Sequence, residues 1–131
     1  MIEKFESVEQ IKKCAEYYIE LLGLQDWRIV FKLTDNFNPE WLGMCETDYT
    51  GKSACISIRE TTDKFESWIK QPQEEVLIHE LLHCKFVSFD DNTLSGTLIY
   101  QQWHTLLDDM ARAIFKTRYN LSNKDYYFKG D

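Results

Sequence analysis

Proline and glycine are scarce in this sequence, two and five in 131 residues. No Pro/Gly/Ser-rich linker, internal repeat or low-complexity tract divides it, so a single domain over residues 1–131 is expected. No apolar run approaches the ~20 residues of a membrane span. The opening stretch Met1-Ile2-Glu3-Lys4-Phe5-Glu6 lacks the apolar core of a signal peptide, so a cytoplasmic protein with no membrane partner is expected. Basic residues are in deficit, 15 against 22 acidic ones for a net charge of −7. Phosphate contacts supply much of the affinity of nucleic-acid binders. With no Lys/Arg stripe, no nucleic-acid partner is expected, and the negative charge reads as a solubility feature. None of the four cysteines, Cys14, Cys45, Cys55 and Cys84, forms a C-x-x-C pair, which argues against a zinc finger or a thioredoxin-type site. Reduced thiols are expected, with Cys45 and Cys55 the pair placed to oxidise across a hairpin in an exported protein. Signatures of serine hydrolases, P-loops and dinucleotide folds are missing as well.

What is present suffices for a packed core: 44% hydrophobic and 15% aromatic residues. The periodicity predicts a helix over Val8–Leu22, opened by the capping box Ser7/Gln10 and closed at Gly23, with Ile11, Ala15, Tyr18, Ile19 and Leu22 on its inner face. Trp27 to Leu33 alternates as a half-buried strand. Two short strands follow near Leu42–Thr47 and Ser53–Arg59, joined by a turn at 49–52. Residues Thr61–Lys70 suit a short helical turn. A helix then starts at Pro72, with Glu74 and Glu75 favourably placed in its first turn, and runs to about Val87. A last long helix over Ser95–Tyr119 would bury Ile99, Trp103, Leu106, Met110 and Ala113, and the tail carries Tyr126, Tyr127 and Phe128. This order implies an α+β fold, a small mixed sheet packed on helices.

The helix from Pro72 carries His79-Glu80-Leu81-Leu82-His83. Residues four apart stand one turn apart on one helix face, so both imidazoles can converge on one ion. Glu80 sits beside that ion and can take a proton from water there. This is the H-E-x-x-H arrangement; Val76, Leu77, Leu81 and Leu82 give its helix an apolar side. The bland alternative is a buried structural histidine pair. A catalytic zinc usually has three protein ligands, and one histidine remains, His104, on the next helix. Asp108 or Asp109 is the alternative third ligand, and a plain surface histidine the bland reading of His104. Cys84 points away from the pair toward the core.

With these motifs the chain resembles the zincin metallopeptidases, above all their gluzincin branch and its very small members, the minigluzincins and phage metallopeptidases of similar length. The resemblance is specific at H-E-x-x-H; elsewhere it is one of element order and length. It implies a minimal zincin-like fold with an active-site helix and a long C-terminal helix. In gluzincins the third ligand is normally a Glu within E-x-x-x-D, where the Asp supports a zinc-binding histidine. The matching stretch here reads His104-Thr105-Leu106-Leu107-Asp108, so the family pattern implies His104 as ligand in place of Glu and Asp108 as its supporting carboxylate. SprT-like and astacin-type proteases place a third histidine soon after the pair, and 84–91 contains none. Peptide deformylases use an upstream cysteine, which Cys45 could imitate, but their Gly-rich, Gln-containing loop is missing.

The expected activity is hydrolysis of peptide bonds in a peptide or protein substrate, with one Zn2+ per chain, His79, His83 and His104 as ligands and Glu80 as general base. Tyr100, one turn before His104, is a candidate oxyanion donor or a packing residue. The edge of the Ser53–Ile58 strand is the expected place for an extended peptide to pair. The rival expectations are a non-catalytic or latent zinc-binding module that keeps the zincin fold.

Overall fold

The computed structural model describes residues 4–48, 50–61, 72–90 and 96–127. Helix α1 covers Val8–Leu22. Ser7 caps it by accepting a hydrogen bond from the Gln10 backbone, and the Gln10 side chain accepts one from the Glu6 N–H. Such a cap stabilises a helix by ~1 kcal/mol. Gly23 ends the helix in the left-handed region at φ 71°, where a side chain would be strained. Ile11, Cys14, Ala15 and Tyr18 are buried.

Three strands follow: β1 (Arg28–Leu33), β2 (Gly43–Asp48) and β3 (Ser53–Ile58). Their order is β1-β3-β2, with β1 parallel and β2 antiparallel to β3. The strand expected to offer an edge, Ser53–Ile58, is therefore central and hydrogen-bonded on both sides. Hairpin formation places β2 on one flank of β3, and β1 takes the other, so the available edges belong to β1 and β2. Ala54, Ile56 and Ile58 are buried as the alternation implies, facing the helices. Past the end of β3, Arg59 is buried and donates to the carbonyls of Trp41 (2.7 Å) and Asn38 (2.6 Å) while its guanidinium lies over the Phe37 ring. It thereby pins the loop that leads into β2.

Helix α2 (Gln73–Lys85) carries the histidine pair. The expected start at Pro72 holds to within one residue, since Pro72 is the cap. The helix stops at Phe86, where the backbone leaves helical angles, and a short α3 (Val87–Asp90) continues from there. An amphipathic helix with one apolar side is not what forms. Gln73 to Ile78, Glu80 to Leu82 and Cys84 are all buried, because sheet, α1 and the last long helix enclose α2. Only His79, His83 and Lys85 keep appreciable solvent access.

Glu74 and Glu75 lie in the first turn as expected, and both are fully buried. Glu74 accepts hydrogen bonds from the Tyr18 hydroxyl, the Tyr119 hydroxyl (2.5 Å) and Arg118 (3.1 Å). Glu75 accepts one from Tyr126 (2.6 Å). A buried carboxylate is tolerated only with such donors, and here they come from the first helix and the C-terminal segment. The tail thus packs back through Tyr126, within the short α5 (Asn123–Tyr127).

Helix α4 (Leu98–Arg118) is capped by Thr97. Its buried residues are Leu107, Ala111 and Phe115. The expected stripe is corrected by about one position: Ile99 (66%) and Leu106 (49%) are exposed, Ala113 is exposed too, and Trp103 and Met110 are half-buried. Two neighbouring apolar stripes exist on this helix, and contact with α2 selects the one that continues from His104. The turn expected over Thr61–Lys70, and Phe128, fall outside the described residues apart from Thr61 itself. Among the described residues no helix is long and apolar enough to cross a membrane. The observed architecture is α+β: an N-terminal helix, a three-stranded mixed sheet, then helices including the long α4.

Candidate metal centre

The window that α2 leaves open faces α4, and there the three histidines meet. His79 and His83 stand one turn apart with Nε2 atoms 3.2 Å from each other. His104 closes the group from α4, its ring centroid 5.8 Å from that of His79 and 5.0 Å from that of His83. One ring nitrogen of each lies within 4.8 Å of the others. Two nitrogens bound at ~2.05 Å to a tetrahedral ion are about 3.3 Å apart, so the Nε2 spacing on α2 already suits a shared cation. Three imidazoles without a carboxylate among them form a neutral donor set of the kind zinc accepts in catalytic sites. This cluster is a possible metal site on two helices.

Two carboxylates flank it. Asp108 Oδ1 lies 2.8 Å from Nδ1 of His79. Glu80 is buried, 5% exposed, with Oε1 3.8 Å from Nε2 of His79. Thus one carboxylate faces the outer nitrogen of the ring and the other the inner nitrogen, on the side where an ion would sit. Asp109 faces elsewhere and pairs with Arg112 at 3.7 Å. Tyr100 packs its ring on His104, centroids 4.3 Å apart, and lines the same opening.

The opening is a cleft of about 590 Å3. Its floor is α2, one wall is α4 through Tyr100, His104 and Asp108, and the other wall is β2 with the loop before it, through Trp41 to Cys45 and Thr47. Gly43 explains how β2 comes so close. A Cβ at this position would sit 2.7 Å from Val76 Cγ1 and 3.3 Å from Glu80 Cγ, so only glycine allows the strand to pass over the aliphatic part of Glu80. The sequence reading missed Gly43; its one trace there is a glycine at the start of a short strand. It also missed that Cys45, on the same strand, points at the helix, with its sulfur 3.8 Å from that of Cys84. The four cysteines are reduced, and the alternative Cys45–Cys55 bridge has no geometry for it, because Cys45 stands opposite Ile56 in the register and Cys55 opposite Glu46, on the other face of the sheet. Cys84 is buried, as its helix position implied.

Comparison with known families, characterised proteins and solved structures gives no match. The site therefore rests on its own geometry. Of the residues singled out from the sequence, His79, Glu80, His83, Tyr100, His104 and Asp108 all border one cleft.

Proposed function

We propose that this protein is a zinc-dependent peptidase with a minimal gluzincin-like site in which His104 replaces the usual glutamate. The observation that carries the reading is the convergence of three imidazoles within 4.8 Å beside one buried carboxylate, Glu80, in an open cleft. A bound zinc ion would be held by His79, His83 and His104, and would supply Lewis acidity toward a substrate carbonyl and toward water. Glu80 takes the proton from the attacking water and hands it to the departing amine. Its burial against Val76 and β2 keeps it from being solvated away from that position. Asp108, with Oδ1 2.8 Å from Nδ1 of His79, stands where a carboxylate would orient that ring and leave Nε2 to face the ion.

The same cleft suits an extended chain. β2 is the outer strand on this side of the sheet, so its outward backbone groups can pair with a peptide, and substrate side chains then reach Trp41, Leu42 and Met44 along the wall. This moves the peptide-pairing edge from β3, where the sequence placed it, to β2.

The testing experiment is Glu80→Gln. The amide is nearly isosteric but is no base at neutral pH. With an unstructured protein or a mixed peptide pool as substrate, the zinc-loaded wild type is expected to cleave, and the variant to hold zinc while losing at least ~100-fold in rate. Full cleavage by the variant would remove Glu80 from the reaction. No cleavage by the wild type would leave the cluster a metal-binding site without this activity.

A further inference from the structure

The cleft wall and its floor meet at two thiols. Cys45 lies on β2 and lines the cleft; Cys84 lies on α2, immediately after His83, and is 1% exposed. Their sulfurs are 3.8 Å apart although the residues are 39 positions apart in sequence. The other two cysteines are placed differently. Cys14 is buried beside Glu74, and burial followed by that charge pushes its thiol up to about 12. Cys55 faces the opposite side of the sheet. Chance apolar packing of two cysteines accounts for their burial, but it does not require one of them to face the cleft where solutes arrive.

We infer that Cys45 and Cys84 form a modification site, an oxidisable dithiol that takes a peroxide or a small disulfide as its reactant and bolts the cleft wall to the histidine-bearing helix. A disulfide needs its sulfurs at ~2.05 Å, so they must approach by roughly 1.8 Å from 3.8 Å. Side-chain rotation supplies part of this, and β2 can supply the rest because only β3 holds it within the sheet. With hydrogen peroxide the step balances as follows. The sulfur of Cys45, the residue of the two that lines the cleft, attacks one peroxide oxygen and breaks the O–O bond. Its thiol proton leaves with the second oxygen as water. The Cys84 sulfur then attacks the resulting sulfenic acid, the S–S bond forms, and the displaced hydroxide leaves with the Cys84 proton as a second water. Two thiols are oxidised by two electrons and one peroxide is reduced to two waters. With a small disulfide the same two electrons reduce it to two thiols by exchange.

The bond joins β2 to the turn of α2 that ends in His83 and leaves all three imidazoles unmodified. It holds the strand against opening. Formation of the bond does not depend on the peptidase reading; a loss of hydrolysis on oxidation does rest on it, because a peptide must pair with β2.

The test uses the full chain treated with hydrogen peroxide and then digested without reduction. The expected product is one intramolecular link between the peptides holding Cys45 and Cys84, with two of the four thiols lost and dithiothreitol restoring both. Cys14→Ser and Cys55→Ser are expected to keep the link, and Cys45→Ser to abolish it. Amide exchange across Gly43–Asp48 is expected to slow about tenfold in the oxidised form, since strand opening is what the bond prevents. These readouts need no activity, so they stand apart from any failure of the peptidase proposal. Mapping in the wild type also covers the case in which a variant at buried Cys84 does not fold. A link to Cys14 or Cys55, a Cys45 oxidised to sulfinic acid beside a reduced Cys84, or four thiols surviving the treatment would each overturn the inference. So would a link that leaves exchange in β2 unchanged.

Discussion

Asp108 on α4 and His79 on α2 come within 2.8 Å, carboxylate to Nδ1, across the boundary between the two helices. The pair ties α4 to α2 beside the histidine that both carboxylates flank. Asp108 is half exposed, so its role toward the ring is one of orientation more than of stability.

That relationship sets an order of zinc affinities. Losing a carboxylate that orients a metal-bound histidine costs ~10–100-fold. His104→Ala removes the proposed third ligand and is expected to cost more than Asp108→Ala. Asp109→Ala, which only disrupts an exposed pair with Arg112, is expected to bind as the wild type does. Competition with a chromogenic chelator measures all three. Normal binding by His104→Ala with loss in Asp109→Ala would reassign the third ligand to a carboxylate.

The close passage of β2 over Glu80 gives a second expectation. Gly43→Ala places a methyl 2.7 Å from Val76 Cγ1 and 3.2 Å from the Ser57 carbonyl. Backbone and a packed side chain cannot both yield, so the variant is expected to lose ~1–3 kcal/mol, the usual cost of overpacking. Urea unfolding checks this. A stability equal to wild type would mean that β2 is free to lift off α2.

A third expectation concerns alkaline pH. Burial, followed by the hydrogen bonds to Glu74, raises the pKa of Tyr18 and of Tyr119 far above the ordinary value of 10.0, and burial with the bond to Glu75 does the same for Tyr126. Burial moves Cys14 from 9.0 to about 12. All four groups stay protonated in the folded chain at pH values where the unfolded chain releases its protons. Stability from them is complete below about pH 9 and falls as pH rises, through pH 12 for Cys14 and beyond for the tyrosines. The urea midpoint is expected to fall progressively as pH is raised from about 9 to about 12. A Tyr126→Phe variant, about 1–3 kcal/mol less stable at neutral pH for the lost donor, is expected to show a shallower drop. A flat profile would contradict the burial of these hydroxyls.

The parts of this arrangement that the sequence discloses are those carried by local spacing. The i, i+4 histidines, the Ser7 cap, the Gly23 stop and the alternation of β1 are fixed within a few residues of chain, and each occurs where periodicity puts it. His104 and Asp108 became legible only by adding a coordination requirement and a family pattern to the spacing. What stayed hidden is set by contacts between distant segments. On α4, Leu106 and Leu107 are adjacent and equally apolar, and only docking on α2 decides that Leu107 is the buried one. Nothing in the local spacing shows that Glu74 and Glu75 are buried; their partners Tyr18, Tyr119 and Tyr126 come from both ends of the chain. Cys45 and Cys84 carry no pairing signal in a sequence, because 39 positions separate them.

The central claim is that His79, His83 and His104 together hold one zinc ion. Zinc-edge X-ray absorption on the purified protein, combined with its elemental content, tests it most directly. About one zinc per chain is expected, with imidazole nitrogens at ~2.0–2.1 Å, no sulfur in the coordination shell, and loss of one imidazole in His104→Ala. A Zn–S distance of ~2.3 Å, which would bring Cys45 into the coordination shell, or a protein that neither contains nor takes up zinc, would contradict it.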